Sequence, residues 1–172
     1  LSIATVVILI YTFMGGFITV AWTDLFQALF LLSMIILVPT IAYFKLDNGF
    51  ESILAAAETK NISLNFIPDL SFDSILTILF LIFSWGLGYF GQPHIVTKFM
   101  GINNVENMNK SKYVGMLWQL TALSAAAVVG LVAIAYFEEG LVNPERVFIE
   151  MVKSLFHPLA GGFVLCGLMA AS

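Results

Sequence analysis

Residues 84–95 read SWGLGYFGQPHI, near the end of a stretch without a charged side chain from Ser74 to Thr97. On a helix, Trp85, Gly88, Tyr89, Gln92 and Pro93 fall at i, i+3, i+4, i+7 and i+8, which is a single face. That face offers two aromatic rings, an amide, a bare backbone patch and a proline that frees a carbonyl one turn back. Freed backbone at membrane depth is tolerated only where protein buries it or where it lines a wet cavity. Interrupted helices of this kind coordinate ions and cradle substrates in transporters. The competing reading is structural: the glycines permit close helix packing and the rings anchor at the membrane interface. Composition alone leaves the two readings even.

Other reactive residue types are sparse. The two histidines, His94 and His157, lie far apart, and each adjoins a proline, which suits a structural or interfacial role. There is no HExxH, no nucleophile elbow and no cysteine cluster, so an enzyme is not expected. The single cysteine, Cys166, excludes an intramolecular disulfide and a cysteine-rich metal site. Asp24 with Gln27 reads as a capping pair that opens a helix. The alternative is an acid inside the membrane. Asn61-Ile62-Ser63 fits a glycosylation acceptor, a pattern short enough to arise by chance.

The elements that must position these residues are membrane spans. Of the 172 residues 60% are hydrophobic and 10% charged, with mean hydropathy +0.97. A soluble domain would carry roughly 25% charged residues. The net charge of −4 gathers in acidic connections, which gives nucleic-acid binding no support. Stretches of about 20 apolar residues, enough to span a bilayer, occupy 1–23, 25–44, about 74–97 and about 113–137, and a fifth runs over 155–172. Gly15 and Gly16 stand where the first helix could end, kink or pack closely. The absence of an initiating methionine and the apolar final run suggest an internal piece of a larger membrane protein.

Between the spans, FESILAAAET (50–59) suits a short helix within the long acidic connection 45–73. NPERVFIEMVKSLF (143–156) opens with Asn143 as cap and Pro144 in the first turn, and Val147, Phe148, Met151, Val152 and Leu155 fall on one side. It reads as an amphipathic helix on the outer surface, either a brace or a lid.

YTFMGGFITVAWTD (11–24) together with SWGLGYFGQPHI resembles the sodium:solute symporter family. The first stretch follows the pattern Tyr11-Thr12-x-x-Gly15-Gly16-Phe17, and Thr19 departs from the small residue usual two places further on. The run from Trp85 to His94 is similar to the proline-transporting branch, as is NPERVFIE. The resemblance implies an all-α integral membrane protein with part of a LeuT-type inverted-repeat bundle, multi-pass in the cytoplasmic (inner) membrane. It implies sodium-coupled uptake of L-proline by alternating access, with Na+ as coupling ion and no other cofactor. It further implies substrate binding by Trp85, Tyr89 and Pro93, beside which Gly88 and Gln92 would line the site. For sodium it implies a backbone carbonyl at or near Ala171, with a Ser-Thr pair following after Ser172. Another small solute of the same family, or the symporter-like domain of a sensor, remains open.

The densest lysine cluster, Lys98, Lys110 and Lys112, places 98–112 in the cytoplasm. Residues 45–73 and 138–154 then face outward. Single cysteines at Asn104 and Asn61 of the full-length protein, with Cys166 replaced, check this with a membrane-impermeant thiol reagent on intact cells. Labelling is expected at 61 and not at 104.

Overall fold

The computed structural model describes residues 2–65, 71–90, 92–93, 99–102, 104–141 and 143–171, and among them every regular element is helical. Six α-helices are numbered here: α1 (Ser2–Phe44), α2 (Phe50–Thr59), α3 (Phe72–Phe90), α4 (Asn107–Tyr136), α5 (Val147–Leu155) and α6 (Pro158–Ala171). The chain divides into two compact units, residues 1–56 with 122–172, and residues 57–121.

In the first unit, α1 is two helical segments that meet at Gly16, whose φ of 59° and ψ of −158° are not helical. A left-handed φ is free for glycine and costly for a residue with a Cβ. The expected boundary at Asp24 is therefore corrected: the break falls at Gly16. Asp24 lies well inside the second segment, half-buried, and cannot be a cap. Of its two readings, the acid within the span is the one this geometry keeps. Hydroxyls along the same helix bond back to the preceding turn: Thr19 Oγ1 donates to the Gly15 carbonyl at 3.0 Å and Ser33 Oγ to that of Leu29 at 2.8 Å. This satisfies a polar group where no water is at hand. Pro39 sits inside α1 and is fully buried.

The core of this unit gathers Val38 and Ala42 of α1, Ile53 of α2, Val132 of α4, Met151 and Val152 of α5, and Val164 of α6. Met151 and Val152 are completely buried. The expected cap is present: the Asn143 side chain accepts from the Glu145 N–H at 3.3 Å and opens a 3-10 turn, Pro144–Arg146, that leads into α5. The apolar side of α5 packs onto α1 and α6, while Lys153 and Glu150 pair at 2.8 Å on its outer side. Ser154 Oγ and the Tyr136 hydroxyl, 3.1 Å apart, tie α5 to the end of α4. As it stands, α5 braces the helices beneath it.

In the second unit, α2 ends where Asn61, at φ 53°, takes the left-handed position. Ile62 N–H bonds to the Ala57 carbonyl at 2.8 Å and Asn61 N–H to that of Glu58 at 3.1 Å, the pairing of a Schellman cap. The residue type of Asn61 thus has a backbone reason. Near the start of α4, the Lys112 ammonium lies 5.2 Å from the centre of the Tyr113 ring, a pairing suited to a membrane boundary.

Two glycines separate backbone need from packing. Gly16→Ala is expected to lower the stability of the full-length protein by about 1–3 kcal/mol, the cost of holding an L-residue in a backbone region open essentially to glycine. Gly130→Ala in α4, where a Cβ meets nothing within 4 Å, should be neutral or stabilising. Thermal unfolding in detergent reads both.

Candidate functional site

The face expected to do the chemistry lies mostly on α3. Two of its breakers do not break it, because α3 continues through Gly86 and Gly88 and ends at Phe90. Gln92 is outside any helix, so the charge-free interval from 74 to 97 does contain an interruption. The single-face expectation is corrected accordingly. Trp85, Gly88 and Tyr89 share a side of α3 by helical register, and Gln92 has left it. Gln92 and Pro93 are both exposed. Gly91, His94, Ile95 and the lysine at 98 lie outside the described residues, as does Ser172.

Trp85 is 64% exposed, and no described side chain of α3 is buried. A Cβ placed on Gly86 or Gly88 would meet nothing within 4 Å. Close helix packing, the structural reading of those glycines, therefore has no partner within the described residues. An apolar helix exposed all round belongs in lipid or against other protein.

Ala171, the residue singled out for a sodium-binding carbonyl, is the last residue of α6 and belongs to the other unit. His157, just before α6, is exposed, and its Nδ1 accepts from the Leu159 N–H at 3.4 Å. Cys166 is exposed on α6. Among the described residues no group of three or more His, Cys, Asp or Glu side chains could hold a metal ion.

The first unit also holds a recess of about 300 Å³ between α1, α4, α5 and α6, lined by Phe30, Met34, Val129, Phe148 and Val164 with Glu145. Its walls are almost wholly apolar. A zwitterion seated there would have its ammonium and carboxylate left largely without partners, at a cost of several kcal/mol. Sequence reasoning did not anticipate this recess, and its chemistry does not suit a polar solute.

Two helices, Thr12–Phe44 and Asn107–Tyr136, are long and apolar enough to cross a membrane, and Phe72–Gly88 and Pro158–Met169 are shorter apolar helices. These long apolar helices, with hydroxyls bonded back to the preceding turn, are consistent with a helical membrane protein. The model of the sodium:solute symporter family matches residues 1–172. A relative from Staphylococcus aureus named "Sodium/proline symporter" is 40% identical over 174 residues, covering 99% of this chain and 33% of the relative. Relatives of the same name from strains JH9 and Newman match equally. The chain belongs to the sodium:solute symporter family. It spans about a third of the length of these curated relatives. No solved structure matches it significantly.

Proposed function

We propose that the protein couples sodium entry to uptake of a small solute across the cytoplasmic membrane by alternating access, and that the solute is L-proline. The observation that carries this reading is the end of α3 at Phe90, directly after Trp85 and Tyr89, in a chain of this family. The names of the relatives at 40% identity point to proline and sodium.

The chemistry of the residues supports it. Proline is a zwitterion with a small apolar ring and no net charge. Trp85 and Tyr89, one turn apart on α3, would pack that ring. The Tyr89 hydroxyl would bond the carboxylate. Gln92, beyond the end of α3, would supply an amide, Pro93, itself at a helical position, would bring a backbone without an N–H donor, and Gly88 would let the solute approach the helix. No residue from 84 to 95 brings a charge that a neutral solute would leave unpaired. The coupling ion, Na+, would be held by backbone oxygen at Ala171 together with groups from other helices of the LeuT-type bundle that the family implies. Coupling then requires that each ligand raise the affinity for the other.

The test is sodium-dependent proline uptake by the full-length protein against proline concentration, with surface expression checked. Trp85→Leu and Tyr89→Leu should each weaken apparent affinity by about threefold to tenfold or more, since an aromatic contact contributes about 0.5–1.5 kcal/mol beyond its area. Tyr89→Phe separates hydroxyl from ring. Phe90→Leu, about 100° round the helix from Tyr89, should change little. Equal losses at 85, 89 and 90 at equal expression would remove the special role of this face. Sodium-driven uptake of a different solute with no proline uptake would assign the protein to another branch.

A further inference from the structure

We propose that the seating of the Phe30 ring against Gly167 fixes the position of the end of α6 and thereby sets the affinity for sodium. Phe30 and Gly167 are positioning residues, and the inference rests on the reading above that α6 carries a sodium-binding carbonyl at Ala171.

Gly167 is a contact site on an apolar helix. A Cβ built there would overlap the ring of Phe30, with Cδ1 at 2.6 Å and Cζ at 3.1 Å. The ring therefore lies directly against the α6 backbone, closer than any side chain at 167 would permit. The same ring meets Phe163 edge-on, with centroids 5.4 Å apart and planes at 84°. Phe163 and Gly167 are four residues apart, so the ring is held between one turn of α6 and the next.

Ala171 is the next residue in that series. Positions 163, 167 and 171 stack on one side of α6, and Ala171 stands about 6 Å along the axis from Gly167 at 1.5 Å per residue. A regular helix moves over so short a distance as a rigid body. Any shift at the Phe30 contact reaches the backbone at Ala171 with little loss. An ion held by carbonyl oxygens is sensitive to such a shift because its ligands are fixed to the backbone and cannot rotate to follow.

The recess beside this contact explains why the effect falls on position rather than on folding. Phe30, Val164 and Leu168 all line it, so a ring expelled from Gly167 has about 300 Å³ beside it to enter. A methyl at 167 would then release α6 from its stop without bringing two rigid surfaces into collision. Trimming the ring should have a similar result from the other side: Phe30→Leu leaves the notch half empty. Combining the two puts a smaller side chain against a larger one and refills the contact.

The experiment uses the purified full-length protein and reads proline binding as a function of sodium, with thermal unfolding measured on the same samples. Gly167→Ala and Phe30→Leu are each expected to raise the half-saturating sodium concentration about tenfold, the low end of what outer-shell supports contribute to metal affinity. Proline affinity at saturating sodium should change little, and the double variant should return toward the wild-type sodium dependence. Gly162→Ala, where a Cβ meets nothing within 4 Å, is the control and should behave as wild type. Unaltered sodium dependence in both single variants, or a double variant no better than the worse single one, overturns the proposal. Loss and recovery of thermal stability without any change in sodium dependence also overturns it, while leaving sodium-coupled uptake intact. Proline binding by the wild type that ignores sodium altogether would sink both this inference and the functional reading beneath it.

Discussion

A peptide group within hydrocarbon has no water to bond, and leaving it unpaired costs several kcal/mol, so backbone satisfaction dictates what a spanning chain can be. Among the described residues the chain answers with helices alone, and its hydroxyls fold back on the preceding turn, as Thr19, Ser33 and Thr40 do. Departures from that regularity are then informative, because each one exposes backbone that something must satisfy. Among the described residues three lie in apolar stretches: Gly16, Pro39 and the end of α3 before Gln92. Gly16 is a positive-φ break between two helical segments. Pro39 is fully buried, next in sequence to Val38 of the core. Only the third stands beside an exposed tryptophan, Trp85, and an amide, Gln92.

Lipid also removes the usual force that packs helices, since a leucine gains little by leaving an acyl chain for another leucine. What remains is shape and a few hydrogen bonds. The contacts of the first unit reflect this division. Where α5, the end of α4 and the start of α6 come together, ordinary burial holds them: Met151 and Val152 are completely covered and Tyr136 bonds to Ser154. Further along α6 the holding contact is a ring fitted to a bare glycine, Phe30 on Gly167, and a second ring edge-on to it. Burial of this kind is tolerant of small shifts, whereas a ring against a backbone has one good position.

The legibility of the sequence followed the strength of each local signal. FESILAAAET became α2 with the expected bounds, and the Asn143-Pro144-Glu145 start produced its cap, because capping and first-turn preferences act within a few residues. The 74–97 interval was legible as apolar and interrupted, but not the residue at which the helix stops: Gly86 and Gly88 cost helix stability, yet a single glycine costs only about 1 kcal/mol relative to alanine and neighbouring turns absorb it. Asp24 misled for a related reason. Asp followed three residues later by Gln is a cap signal only at a helix start, and the Gly15-Gly16 pair eight residues earlier is where the backbone turns. The Phe30 contact and the apolar recess had no sequence signal at all, since apolar helices show no periodicity from which facing residues could be paired.

The neutrality of the α3 face bears on how a coupled carrier can work. A fixed charge in a membrane site costs several kcal/mol whenever its partner is away. A carrier must pass through its empty state on every cycle, so a charged site would burden the return step. Rings, an amide and backbone dipoles carry no such burden when empty, and a zwitterion brings its own balanced charges when it binds. If α3 is the substrate face, as proposed, selectivity would come from geometry, from ring separation on α3 and from where the helix ends. On the proposed function, that places the demand on the positions of helix ends rather than on the strength of any one bond, and it is the reason a packing contact one turn from Ala171 can matter as much as a ligand.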